Sequence, residues 1–210
     1  MKTLLIASSN RGKLVEIRDI LNGLPFELVL PEDLGLHVEV AETGQRYGDN
    51  AALKAEAYFS ASRQVRPEGL LTLADDSGLE VAVLGGAPGL YSARYSPKTG
   101  ATDADRRRYL IQQLEGRQPD GEFGWRASFH CTVAVLGPGV GLRLFDGECP
   151  GEVITEERGT GGFGYDPIFY LPEYGQTMAE LGEAFKNRIS HRARALQSAR
   201  PFLAGLAQTE

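Results

Sequence analysis

The sequence predicts an α/β fold. Short apolar runs of strand character alternate with stretches whose apolar residues recur at helical spacing, and caps, glycines and prolines fall at the joins. Hydrophobic content of 42% and charged content of 24% are ordinary for a globular chain, and no repeat or low-complexity tract interrupts its 210 residues. That length makes residues 1–210 a single domain, as one body or as two lobes sharing a core, able to bury roughly 70% of its unfolded surface.

Residues 2–7 read as the first strand. Asn10 is a natural N-cap for a helix with Leu14, Ile17 and Leu21 on one face, closed by Gly23. Its first turn carries Arg11 and Lys13, where free N–H groups and the helix dipole favour acids, so a bound anion would resolve the mismatch. The GxxxxGK[ST] spacing of a Walker A loop is absent. A solvated basic turn is the alternative. Residues 26–30 form a second strand, and after a loop carrying Glu42 a helix runs from about 49 to 64. Leu53, Ala57 and Tyr58 face its core, and Lys54 lies at the edge of that stripe.

Residues 71–74 and 79–84 read as two strands broken at Asp75, Asp76, Ser77 and Gly78. Side chains alternate across a strand, so a turn there would be needed to bring both carboxylates to one point. Carboxylates held together take up a proton or a metal ion, and hard oxygens suit Mg²⁺. Taken alone, Asp-Asp-Ser-Gly is equally an acidic surface turn. Thr102 and Asp105 make a capping box for a helix to about Glu115, with Tyr109, Leu110 and Leu114 inward and Arg106, Arg107 and Arg108 mostly solvated. Residues 125–136 alternate as a strand in which His130 is a packed or surface residue and Cys131 a core one. Residues 141–145 and 152–155 predict further strands.

Residues 159–164 match GxGxxG, but a dinucleotide loop must open a helix, and here Asp166-Pro167 and a strand-like run follow. The glycines instead let backbone press against a flat ligand, with Phe163 placed to stack and Asp166 to accept a hydrogen bond; a Gly-rich hairpin is the alternative. Thr177 and Glu180 predict a capping box starting a helix to about Phe185, followed by Lys186. Ser190 would cap the last helix, whose first turn is again basic, with His191, Arg192 and Arg194.

A net charge of −6 argues against a nucleic-acid partner, whose backbone is bound by clustered Lys and Arg. The chain uses 5 lysines against 17 arginines, and Lys13, Lys54 and Lys186 all fall in the segments above. A compact ammonium suits a phosphate. Two cysteines are too few for a disulfide framework and lack zinc spacing. The apolar run in MKTLLIASS is too short for a signal peptide, and none approaches a membrane span of roughly 20 residues, which predicts a cytoplasmic protein with no membrane partner.

In order, SSNRGK, ET, NAALKA, ADDSGLEV, GGAPGLYSARY, GGFGYDPIF and KNRISHRARAL run from residue 8 to residue 195. This set resembles the inosine triphosphate pyrophosphatase, or Ham1-like, family. The resemblance implies an elongated mixed β-sheet with flanking helices, two lobes around a central nucleotide-binding cleft, and a homodimer. It also implies Mg²⁺-dependent hydrolysis of (d)ITP and XTP to monophosphate and pyrophosphate, clearing deaminated purines from the nucleotide pool. By the same resemblance, Ser8, Ser9, Asn10, Arg11, Gly12 and Lys13 form the triphosphate loop, with Lys13 and Lys54 on phosphate oxygens. Glu42, Asp75 and Asp76 hold the metal, Asp76 also accepts a proton, and Ser77 touches substrate. Phe163, Gly164, Tyr165, Asp166, Lys186, His191 and Arg192 resemble the base and sugar pocket. Ser8-Ser9 stands where the family often has Thr-Gly, which bears on the loop's shape. Other readings of the same residues are a pyrophosphatase for another modified nucleotide and a nucleotide sensor that binds without turnover.

Overall fold

The computed structural model describes residues 2–208. Seven strands form one mixed sheet: β1 (Lys2–Ile6), β2 (Phe26–Val29), β3 (Leu71–Val81), β4 (Trp125–Gly137), β5 (Val140–Val153), β6 (Phe169–Leu171) and β7 (Gln176–Thr177), in the order β2-β1-β3-β4-β5-β6-β7. β1 pairs in parallel with β2 and β3, whereas β6 is antiparallel to β5 and β7. The helices are α1 (Arg11–Leu21), α2 (Tyr47–Ser62), α3 (Asp103–Leu114), α4 (Glu183–Ile189) and α5 (His191–Gln208). None of them is long and apolar enough to cross a membrane.

The chain divides into two compact units, and β3, β4, β5 and α5 contribute residues to both. The first comprises the residues through Asp76, Cys131–Gly147 and those from Arg192 onward. Alternation along β1 sets its layering. Leu4 and Ile6 join Ile17 and Leu21 of α1 and Leu196, Ala199 and Leu203 of α5 on one face; Leu5 packs with Ala51, Ala55 and Tyr58 of α2 on the other. Each fully buried Leu contributes about 1.5–3 kcal/mol. The second unit, Ser77–His130 with Glu148–His191, packs Leu79 and Val81 of β3, Phe129 of β4 and Phe169 of β6 with Leu110 and Leu114 of α3. The α3 capping box between Thr102 and Asp105 forms as the sequence predicts.

Three expectations about strands and helices fail. β3 is unbroken, with Asp75, Asp76, Ser77 and Gly78 inside it and no turn between two strands. Both faces of β3 are covered, and each carboxylate meets its own cations, so the charges need not be brought together. β5 likewise runs through Gly147, Pro150 and Gly151 as one strand. Pro150 is exposed, and Gly151 is pressed so close to β6 that a Cβ would lie 2.6 Å from the Tyr170 carbonyl oxygen. Finally, Thr177 does not start a helix. It pairs in the sheet with Tyr170 and its hydroxyl donates to the Arg158 carbonyl, so α4 begins only after Gly182, although Glu180 does accept the Thr177 N–H.

Candidate active site

The first charged centre is built on β3. Asp76 lies toward α2, where Lys54 Nζ reaches Asp76 Oδ1 at 2.9 Å, Glu42 Oε1 at 2.9 Å and the Asp75 carbonyl at 3.0 Å. Three acceptors thus take the three protons of one ammonium. Burial works against the Lys54 charge, but Asp76, Asp75 and Glu42 outweigh it and raise its pKa above the ordinary lysine value. Asn50, one turn before Lys54 on α2, donates to Asp76 Oδ2 at 3.2 Å and accepts the Gly44 N–H at 2.8 Å. This ties the loop carrying Glu42 to the strand carrying Asp76. Gly44 is required there, since a Cβ would lie 2.7 Å from Asn50 Oδ1.

Asp75 meets different partners. Its Oδ2 takes Lys13 Nζ at 3.0 Å and Arg192 Nε and Nη2 at 3.2 and 3.1 Å, with the Cys131 thiol at 3.9 Å. Arg192 Nη1 also donates to Glu16 of α1. Burial alone would raise the Asp75 pKa, but Lys13, Arg192 and Lys54 hold it well below the usual carboxylate range. Asp75 Oδ1 has no hydrogen-bond partner among the described residues. Burial first, and then Asp75, push the Cys131 thiol up to about 12, so it is a protonated core residue. At the start of α1, Asn10 Oδ1 accepts the Lys13 N–H at 3.2 Å and the Asn10 N–H donates to Ser8 Oγ at 3.2 Å. Ser9, Asn10 and Arg11 are exposed, and no acid occupies the first turn.

The second centre surrounds residues 161–166. Asp166 Oδ2 receives Lys186 Nζ and, at 2.9 Å, the Phe163 N–H, while the ammonium lies 4.7 Å from the centre of the Phe163 ring. The Tyr165 hydroxyl, its pKa pushed up by burial, donates to the Ser92 carbonyl at 2.9 Å. His191, the first residue of α5, stacks on Phe129 with ring centres 4.6 Å apart. Ser77 is half-buried and directly follows Asp76 on β3.

A Ham1 family profile matches residues 4–202. The chain belongs to the Ham1 family. It is 44% identical over 196 residues to the dITP/XTP pyrophosphatase of Geobacter sulfurreducens, covering 93% of this chain and 94% of that protein. The dITP/XTP pyrophosphatase of Listeria monocytogenes serotype 4b is 42% identical over 204 residues, 97% of this chain and 96% of its own. A solved HAM1 protein from Coxiella burnetii superposes with a TM-score of 0.83 at 38% identity, covering 98% of this chain and all of the other.

In this Ham1 chain Lys13, Glu42, Lys54, Asp75, Asp76 and Arg192 all belong to the first unit, and Phe163, Asp166, Lys186 and His191 to the second. Sequence reasoning passed over Glu16 and Asn50, both buried in the first centre. Asn50 carried one usable signal, its place four residues before Lys54 on the same helix face. His130 lies 3.6 Å from Glu80 and is partly exposed, as its strand pattern predicts. Among the described residues no three His, Cys, Asp or Glu side chains are grouped to hold a metal ion. Glu42 and Asp76 do converge, through Lys54, on one cationic point.

Proposed function

We propose that this chain hydrolyses deaminated purine nucleoside triphosphates, (d)ITP and (d)XTP, to the monophosphate and pyrophosphate. The reading is carried by the Lys54 ammonium shared between Glu42 and Asp76, in a chain 44% and 42% identical to proteins named dITP/XTP pyrophosphatase. A site for binding alone has little use for carboxylates beside its phosphate-binding lysines. In this reading the α1 start receives phosphate oxygens on the N–H groups of Arg11 and Gly12, which have no acceptor within the helix. Lys13 and Lys54 exchange carboxylate partners for phosphate oxygens and meet the charge that develops on the leaving pyrophosphate. Asp76, oriented by Asn50, accepts the proton of the attacking water.

The donor set fits Mg²⁺, which commonly takes one or two carboxylates and completes its shell with water and phosphate. Glu42 and Asp76, already gathered on the Lys54 ammonium, would hold it, whereas the Asp75 side chain turns to the other face of β3, toward Lys13 and Arg192. When bound, Mg²⁺ supplies charge neutralisation and a more acidic water. The base end falls to Phe163 as a stacking face and to Asp166, Lys186 and the start of α5 as polar partners. Backbone N–H groups near His191 and Arg192 suit the 6-oxo group of hypoxanthine or xanthine and would oppose the amino hydrogens of adenine, a mismatch worth several kcal/mol. A two-lobed arrangement around the nucleotide and a homodimer belong to the same proposal.

Pyrophosphate release from dITP, XTP, dATP, dGTP and dTTP, with and without Mg²⁺, tests it. Fast, Mg²⁺-dependent release from dITP and XTP is expected. Equal rates on dATP and dITP would remove the specificity, and binding without release would make the chain a sensor. A mass of one chain in light scattering would remove the dimer.

A further inference from the structure

The sequence predicts that Arg106, Arg107 and Arg108 are mostly solvated, yet the side chains of Arg106 and Arg107 are largely buried and only that of Arg108 is exposed. Arg107 Nη1 donates to the Gly164 carbonyl at 2.7 Å and its Nη2 to Glu157 at 2.8 Å. One turn earlier on α3, Asp103 Oδ2 accepts the Gly164 N–H at 2.8 Å. A helix i,i+4 pair thus grips both backbone polar groups of one loop residue. Gly164 has φ +62°, a left-handed conformation that leaves two peptide units turned away from strand geometry, and nothing fills the space a Cβ would take. Conformation, not crowding, is what the clamp controls.

The chemistry of the two groups makes the grip directional. A guanidinium only donates, and an ionised carboxylate only accepts. Asp103 is kept ionised despite partial burial by Arg106, the Gly164 N–H and Arg107. Rotating the peptide unit on either side of Gly164 would set like groups against each other. The peptide unit after Phe163 is fixed in this way by Asp103, and the one before it by Asp166, which takes the Phe163 N–H at 2.9 Å. The backbone of Phe163 is therefore pinned on both sides by carboxylates from different elements.

We propose that Asp103 and Arg107 are specificity-setting positioning residues, which hold the Gly164 backbone so that the Phe163 ring and Asp166 present one fixed surface to the purine base. The proposal rests on the reading that residues 163–166 meet the base. Neither residue touches the phosphate-handling groups, so binding and discrimination depend on them while the bond-breaking step does not.

The test uses Asp103→Ala, Arg107→Ala and Asp103→Asn, which keeps an acceptor for the Gly164 N–H. Steady-state kinetics on dITP and dGTP, dIMP affinity by calorimetry and thermal midpoints are measured on the full chain. The two alanine variants should raise KM for dITP and weaken dIMP binding about tenfold, as for loss of a hydrogen bond to a charged group. Their preference for dITP over dGTP should narrow, with kcat within about threefold of wild type. Asp103→Asn should recover most of the loss. Unchanged KM, affinity and preference in the alanine variants would overturn the proposal. So would a fall in kcat and thermal midpoint with no change in preference, or an Asn variant no better than Ala. If wild type releases no pyrophosphate from dITP, the activity reading fails on its own, and the clamp is judged by dIMP affinity.

Discussion

Two lysine–carboxylate centres, one in each unit, are built on opposite plans. In the first, Lys54 is divided among Glu42, Asp76 and a backbone carbonyl, and its side chain and that of Glu42 are 14% and 30% exposed. In the second, Lys186 and Asp166 are 4% exposed each, with the Phe163 ring beside the ammonium. Separating a sealed pair strands a buried charge, which costs several kcal/mol, whereas a partly solvated ammonium can trade one oxygen for another at little cost. Charges that can change partners suit a step in which phosphate charge moves; charges that cannot suit a surface that must keep its shape.

The sharpest way to break this contrast is to disarm the exchangeable centre. Asp76→Asn keeps the shape and the Asn50 contact but removes the negative charge and the proton acceptor. Pyrophosphate release should fall about 10³-fold or more, by the scale of losing an acid–base group, while nucleotide binding remains measurable. Near-normal turnover in a release assay would take Asp76 out of the reaction.

Arg192 tests whether the first centre also has a fixed part. Its guanidinium is fully buried between Asp75 and Glu16, which outweigh burial and raise its pKa above the ordinary value. Removing it in Arg192→Ala takes a buried cation from Glu16 and from Asp75, which keeps Lys13, and the loss of stability should be about 3–5 kcal/mol by chemical denaturation. Adding Asp75→Asn should return part of that loss, as expected for residues in contact. Additive losses would mean that the pair is not coupled.

What the sequence disclosed divides along the same line. Residue types that announce chemistry were legible: the paired acids, the lysines in a chain that mostly uses arginine, the basic helix starts and the glycines around Phe163. Their partners were not. Nothing near Asp75 in the sequence says that Lys13 and Arg192 will meet it, so an unneeded turn was expected in β3. Three consecutive arginines on an amphipathic helix look alike until their partners separate them: Arg107 reaches the Gly164 carbonyl 57 residues away, Arg106 the Ala101 carbonyl and Asp103, and Arg108 stays exposed. Thr177 and Glu180 form half of their capping motif, but the Thr177 hydroxyl is spent on Arg158. Local pattern gives element type well; the long-range contacts that cancel a charge or claim a cap lie outside it.

On the fixed side, Lys186→Ala should weaken nucleotide affinity about tenfold, the scale of one hydrogen bond to a charged group, with a smaller change in the rate of bound substrate. Asp166 then loses its ammonium partner while keeping the Phe163 N–H. Unchanged affinity in calorimetry would move Lys186 out of the base pocket and leave it a packing residue. A loss in turnover equal to that of Asp76→Asn would erase the distinction between the two centres.

The smallest effect concerns acid. Partial burial alone would raise the Asp103 pKa, but Arg106, the Gly164 N–H and Arg107 hold it below the ordinary value. A carboxyl more acidic when folded than when unfolded adds stability above its unfolded pKa, about 3.9, and loses it as the pH falls from there through the folded value. Thermal midpoints followed from about pH 5 downward should therefore drop less steeply for Asp103→Asn than for wild type, because the amide has no proton to take up. Asp103 is only partly buried, so solvent screening keeps the difference modest. Parallel curves would mean that Asp103 is no more acidic in the folded chain than in the unfolded one, and that its bond to the Gly164 N–H draws nothing from the carboxylate charge.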